Sequence, residues 1–309
     1  MRALVTGGAG FIGSNLVDSL IADGHDVTVI DNESAESNEQ FYWNPQAKNY
    51  QYCITDYTMT RKLYEHQDVV FHMAAESRIQ NCISDPLKAV ETNLLGTATV
   101  LQCARVCGVG RVIYSSTSSA YGLSNPYPNV ETMPTDCLNP YSVTKVGGEE
   151  LCKMYSRLYG LQTLIFRYFN VYGERQPIRG QYAPVVGVFL RQKSAGNDMT
   201  IVGDGEQRRD FVHVNDVVQA NIIASKFTPS NDYIWGQIYN IGTETNHSVN
   251  DIARMIGGKS VHIPPRDGEA RVTLSDCTKA KTHLDWNAKV RIDNWISERC
   301  ILTHDRNPN

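Results

Sequence analysis

Two kinds of hydrophobic pattern alternate along this chain. Compact apolar runs of strand length stand at Arg2–Thr6, Val27–Ile30, Val69–His72, Arg111–Ser115 and Leu161–Phe166, with stretches of helical period between them, the first from Ser14 to Ala22. This alternation implies right-handed crossovers and a parallel sheet covered on both faces, that is, a doubly wound α/β domain. From Glu174 onward the texture changes. Prolines at 177, 184, 264 and 265 interrupt a less regular pattern, so residues 1–170 are expected to form the sheet domain and 171–309 a smaller lobe. Asn32 to Asn49 is polar and poorly patterned and reads as a loop.

Ligands of doubly wound sheets bind beyond the carboxyl ends of the strands. The candidate residues fall there: a glycine loop after the first run, Asp31 after the second, Ala74 and Ala75 after the fourth strand and Thr117 after the fifth. The loop is Gly7-Gly8-Ala9-Gly10-Phe11-Ile12-Gly13. Gly7 lets the chain turn off the strand, Gly10 lets backbone N–H groups approach a pyrophosphate, and Gly13 allows close helix–strand packing. Asp31, about 20 residues on, is placed to accept hydrogen bonds from an adenosine ribose. A carboxylate there repels the additional phosphate of NADP, and no Arg follows it, which favours NAD.

A second constellation concerns proton transfer. In Tyr141-Ser142-Val143-Thr144-Lys145, Lys145 lies one helical turn beyond Tyr141, where an ammonium favours the ionised phenol. With a hydroxyl from a strand end such as Thr117, the pair suits moving a proton on and off a sugar alcohol.

Composition narrows the setting. The 309 residues carry a formal charge of −4 with interspersed signs. No basic face for nucleic acid results, and no run approaches the roughly 18 apolar residues of a membrane span. The start of the chain reads as strand and loop rather than a signal peptide, so a cytoplasmic protein is expected. Eight cysteines are scattered without metal-type spacing, and neither a disulfide nor a metal site is expected.

Both motifs together resemble the extended short-chain dehydrogenase/reductase family, in particular its NAD-dependent nucleotide-sugar epimerases and dehydratases. Further similar segments are His72–Ser77, Glu91–Thr97, Arg167–Gly173 and Gly203–Phe211. The resemblance implies a Rossmann-like sheet domain to which the chain returns at about 208–243, with the C-terminal lobe binding the nucleotide sugar. For the cofactor it implies Phe11 and Ile12 within the glycine loop, with Asn32, Asp56 and Tyr57 at the adenosine end. Ala74, Ala75, Asn93, Ser115 and Tyr168 would line the rest, and Lys145 would bridge the ribose hydroxyls. The alternative for Asn93 is a structural amide tying two loops together. For the substrate it implies Asn170, Arg209 and one or both of Arg266 and Arg271 at the diphosphate, Glu269 at the nucleotide ribose, and Thr200 and Val202 beside uracil. Ser77, Ser118 and Ser119 would stand near the sugar. The helices near Asn93–Val106 and Tyr141–Arg157 match the family's dimer interface, so a homodimer is expected.

Members of the family begin alike: Tyr141 as phenolate takes the proton of the sugar 4-hydroxyl while hydride leaves carbon 4, giving a 4-keto sugar. The 4,6-dehydratases then need an Asp-Glu pair directly after the catalytic Thr, and the decarboxylases keep a Glu at the second place. Here Ser118 and Ser119 stand there, and neither can act as the missing carboxyl acid or base. A 4-epimerase needs no further group, so a UDP-sugar 4-epimerase is the expectation. Thr273, seven beyond Arg266, matches the position facing the sugar 2-substituent. Its small size leaves room for N-acetyl, hence for UDP-GlcNAc and UDP-GalNAc as well as or instead of UDP-glucose and UDP-galactose. The alternatives are a 4,6-dehydratase, a UDP-glucuronate decarboxylase and, in a different class, a non-catalytic NAD-binding sensor, which would be expected to have lost Tyr141 or Lys145.

Overall fold

The structure is a computed structural model and describes residues 1–35, 40–178, 184–228, 234–265 and 271–304. Its strands are β1 (Arg2–Thr6), β2 (Asp26–Asp31), β3 (Lys48–Gln51), β4 (Val69–His72), β5 (Arg111–Thr117), β6 (Gln162–Tyr168), β7 (Asn170–Tyr172), β8 (Met199–Val202), β9 (Arg208–His213), β10 (Gln237–Ile241), β11 (Asn246–Ser248) and β12 (Ser260–Ile263). The helices are α1 (Phe11–Ala22), α2 (Tyr57–Thr60), α3 (Ile79–Ser84), α4 (Pro86–Ala89), α5 (Gly96–Val106), α6 (Pro140–Tyr159), α7 (Val185–Ser194), α8 (Val214–Lys226), α9 (Val249–Ile256), α10 (Thr278–Leu284) and α11 (Ile292–His304). A π-helical stretch, Val90–Leu95, joins α4 to α5.

Seven strands form one sheet in the order β10-β6-β5-β4-β1-β2-β3, and every pairing in it is parallel. Ala3, Leu4 and Val5 of β1 have no exposed surface, because helices cover both faces. Val5, Leu16 and Val217 share the core on one side, which joins α1 and α8 to the sheet, while Leu4, Leu101 and Cys152 belong to the other, under α5 and α6. Strand order reverses between β1 and β4, the place where such sheets open a crevice at their carboxyl ends.

A smaller core contains Tyr172, Phe189, Ile201, Phe211, Ile252 and Trp295. It gathers the β11-β9-β7 sheet, α7, α9 and α11, with a β12-β8 pair alongside. Of the segment 208–243 expected to rejoin the first domain, α8 and β10 pack with the large sheet. Strand β9 stands in the three-stranded sheet instead, because its edges are taken by β7 and β11. Strand β3 begins inside the stretch expected to be loop, adding a parallel edge to β2 through Thr28 to Asp31. All eight cysteines are free thiols. No helix among the described residues is long and apolar enough to cross a membrane.

Candidate active site

Helix α6 positions the proton-transfer group. Asn139 caps it by accepting from the Ser142 N–H at 2.9 Å, the Ser142 hydroxyl accepts from the Asn139 N–H at 3.3 Å, and Pro140 fills the first turn. This reciprocal cap fixes the turn that carries Tyr141. Tyr141 faces a cavity of about 560 Å³ between the large sheet and the lobe. Burial pushes its phenol up to about 12, opposed by the Thr117 hydroxyl and then, after an unfavourable contribution from Cys82, by the guanidinium of Arg78, both of which favour the phenolate. Lys145 is buried, and burial lowers its ammonium to about 8, with Cys152 and Glu149 opposing the shift. Its Nζ lies 4.3 Å from the centre of the Tyr114 ring, an electron-rich face that attracts a cation. Arg78, which the sequence analysis did not mark, is thus a cation whose field favours ionised Tyr141.

At the other end of the cavity, β1 runs into the glycine loop. Gly7 has φ +71°, and a Cβ there would sit 2.6 Å from the Ala74 nitrogen; a Cβ on Gly13 would meet the Gly7 oxygen at 2.1 Å. Only glycine fits either place. Gly10 caps α1 without a side-chain bond, which leaves N–H groups of the first helical turn open to an anion. Gly7, Gly10, Phe11, Ile12, Gly13, Asp31 and Asn32 all line the cavity. The Asp31 carboxylate accepts from the Ala9 N–H at 3.0 Å and the Glu33 N–H at 2.8 Å, while burial raises its pKa. A backbone cradle for a pyrophosphate and a buried acid for a ribose therefore stand together, which fits a dinucleotide.

Asp56 and Tyr57 do not reach this cavity. Asp56 caps α2 by accepting from the Met59 N–H at 3.0 Å, and both residues are exposed. The chain leaving β3 instead lines the cavity with Tyr52, Cys53 and Ile54. The resemblance placed Asp56 and Tyr57 at the adenine, but β3 ends at Gln51, so the residues that follow it into the cavity are Tyr52, Cys53 and Ile54.

Ala74, Ala75, Ser115 and Tyr168 line the middle of the cavity. The Ser115 hydroxyl donates to the Tyr168 phenol at 3.2 Å, and Asn221 donates to the same oxygen at 2.8 Å. Asn93 is buried beneath the wall. Its amide accepts from the Glu76 N–H at 2.8 Å and donates to the Glu76 carbonyl and the Thr144 hydroxyl, each at 3.0 Å. It ties the loop after β4 to α6, which is the structural alternative.

Toward the lobe, the cavity is lined by Ser77, Ser118 and Ser119, by Asn170 and Arg209, and by Thr200, Val202 and Thr273. The Thr273 hydroxyl donates to Asn170 Oδ1 at 3.3 Å and accepts from the Asp210 N–H at 3.1 Å. Thr117 sits behind this wall, its hydroxyl accepting from the Ser119 N–H at 3.1 Å. Arg271 is elsewhere. It makes a two-pronged ion pair with Asp204 at 2.8 and 2.7 Å, both side chains exposed, away from the cavity. The planar fork finds a carboxylate across the turn after β8, a partner that lies 67 residues away in sequence. Arg266 and Glu269 lie outside the described residues. Besides Cys53, Ile54 and Arg78, the cavity also takes Leu138, which no motif in the sequence marked, and Gln207 of the Gly203–Phe211 segment, to which no role had been given.

A Gly-rich cradle with a ribose acid, a Tyr–Thr–Lys constellation and a lobe presenting Asn170 and Arg209 define an NAD-dependent enzyme of the short-chain type. The chain belongs to the NAD dependent epimerase/dehydratase family, whose pattern matches residues 3–242, and its cofactor is NAD. A putative UDP-glucose 4-epimerase of Methanocaldococcus jannaschii is 36% identical over 308 residues, 95% of this chain and 97% of that protein. A UDP-N-acetyl-alpha-D-glucosaminuronate decarboxylase of Bacillus cytotoxicus is 35% identical over 277 residues, 85% of this chain and 83% of that protein. The crystal structure of UDP-glucose 4-epimerase with UDP-glucose from Thermotoga maritima superposes with a TM-score of 0.91 at 34% identity, covering 99% of both chains.

Proposed function

We propose that the protein is a UDP-sugar 4-epimerase that inverts carbon 4 through a 4-keto sugar retained in the site. The observation that carries this reading is the pairing of Tyr141 and Thr117 with Ser118 and Ser119, hydroxyls where an elimination or a decarboxylation needs carboxyl groups. Tyr141 takes the proton of the sugar 4-hydroxyl through or beside the Thr117 hydroxyl, and Arg78 and Lys145 favour the negative charge that the phenol then holds. NAD supplies the acceptance and return of hydride at carbon 4. After the keto sugar turns its opposite face, Tyr141 returns the proton and the 4-hydroxyl is inverted.

Gly7, Gly10, Phe11, Ile12 and Gly13 would hold the pyrophosphate of NAD, and Asp31 with Asn32 its adenosine ribose. Asn170 and Arg209 would grip the diphosphate of the substrate, a task suited to the forked guanidinium. Thr200 and Val202 would stand beside uracil. Thr273 leaves space for an N-acetyl group, so UDP-GlcNAc and UDP-GalNAc are proposed substrates alongside UDP-glucose and UDP-galactose. Residues 1–170, with α8 and β10 of the returning chain, are read as the cofactor domain and the rest of 171–309 as the substrate lobe. Leu87, Leu95, Val143 and Leu158 are exposed on α4, the π-helical stretch and α6, and this apolar face supports a homodimer, which sedimentation at several concentrations would reveal.

Proton NMR of UDP-GlcNAc and, separately, UDP-glucose with the enzyme and no added cofactor tests the reaction. The axial 4-hydroxyl product is expected. No change with either sugar, even after NAD is added, overturns the reading.

A further inference from the structure

A buried ion pair sits directly beneath the proton-transfer group. Glu149 lies on α6 one turn beyond Lys145 and two beyond Tyr141, so all three share a face of the helix. Its side chain is 0% exposed and that of its partner Arg167, on β6, is 2% exposed. Arg167 donates to both carboxylate oxygens, from Nε at 2.8 Å and from Nη2 at 2.7 Å. Glu149 Oε1 also accepts from the Ser116 hydroxyl at 2.5 Å. Ser116 immediately precedes Thr117 at the end of β5.

The other side of the guanidinium faces Tyr121, with Cζ 4.6 Å from the ring centre. Tyr121 closes the turn that carries Ser118 and Ser119, and its hydroxyl donates to Asn240 Oδ1 on β10 at 2.6 Å. One carboxylate and one guanidinium therefore join four pieces: the helix of Tyr141 and Lys145, the strand end of Thr117, the turn of Ser118 and Ser119, and β6. A buried ion pair is poor value as a source of stability, since well-packed apolar residues of similar volume often do as well or better. What apolar packing does not supply is direction, because a bidentate pair fixes distance and angle together.

We infer that Glu149 and Arg167 are positioning residues that hold Tyr141 and Lys145 in register with the Thr117 strand end. The inference rests on the proposed epimerase reading for its kinetic test, and it carries a second test that does not. Glu149 also faces Lys145 with a charge that favours the ammonium. The charged and titratable groups that act on Lys145 are Glu149 and Cys152 on its own helix, His72 on β4 and Tyr114 on β5, with Arg167 on β6 paired to Glu149.

The variant Glu149→Leu/Arg167→Met removes both charges without leaving one orphaned. It is expected to keep its NAD and the wild-type KM, to lose about 10–100-fold in kcat as displaced catalytic groups do, and to level off in its rise of activity with pH at a lower pH. Hydrogen exchange of amides in 141–149 should quicken about tenfold. Wild-type kcat, pH profile and exchange in the folded double variant would overturn the inference. If that variant does not fold, Glu149→Gln and Arg167→Lys are measured in the same ways, with the same kcat-only loss expected and wild-type behaviour again overturning it. If the wild-type enzyme shows no epimerisation, the epimerase reading falls and the exchange measurement alone decides this one.

Discussion

Replacing Tyr141 by Phe removes a single oxygen from the centre of the cavity, and two magnitudes can be set side by side. For stability, the ring and its burial persist, and what is lost is an interaction with the Thr117 hydroxyl. A neutral hydrogen bond contributes about 0.5–1.5 kcal/mol, and removing a buried phenolic oxygen offsets part of that by ending its desolvation. The net change should stay within about 1 kcal/mol, which for a protein of this size moves the melting temperature by no more than about 4 °C. For the reaction, a positioned acid/base group contributes about 10²–10⁴-fold, equivalent to about 2.7–5.4 kcal/mol of barrier. The second effect exceeds the first several-fold, so the variant should be folded and nearly inert. The assay is turnover of UDP-glucose and UDP-GlcNAc by proton NMR, with a thermal melt on the same preparation. A folded Tyr141→Phe enzyme within tenfold of wild type would show that the proton takes another route, and the mechanism built on this phenol would fall.

Other outcomes follow from the same geometry. Tyr141 works as phenolate and is raised to about 12, whereas Lys145 works as ammonium and is lowered to about 8; kcat/KM should therefore climb with pH up to about 8 and level off above it, where the growing phenolate is offset by loss of the ammonium, and a flat profile from pH 6 to 10 would contradict that assignment. Thr273→Tyr should depress epimerisation of the acetylated sugars while sparing UDP-glucose, and equal loss on both would remove Thr273 from the sugar pocket. Asn139→Ala breaks the reciprocal cap of α6, so it should cost about 1 kcal/mol of stability and slow turnover because Tyr141 lies two residues on; an unchanged melting curve would show that the cap is redundant.

Short-range chemistry was legible in the residues themselves. Gly7 and Gly13 must be glycine because of contacts inside one strand–loop–helix unit and with the neighbouring strand's end, and the spacing from Tyr141 to Lys145 is a property of any helix. Asp31 terminates an apolar run, so its place at the carboxyl edge of the sheet followed from strand length alone. The strand ends needed a chain partner to define them: β3 exists by pairing with β2, and where it stops decides that Cys53 and Ile54, rather than Asp56, meet the cavity. The fate of a flexible charged side chain depends on which opposite charge the fold brings near. Arg271 finds Asp204, Arg78 turns toward Tyr141, and Glu149 meets Arg167 and Ser116 across three elements. Periodicity and motif spacing encode the covalent neighbourhood, so the sequence by itself determined the sheet domain, its cofactor loop and the acid/base helix. Contacts between residues distant in the chain are made by packing, and so only the tertiary structure decided which charges serve the site and which close a turn elsewhere.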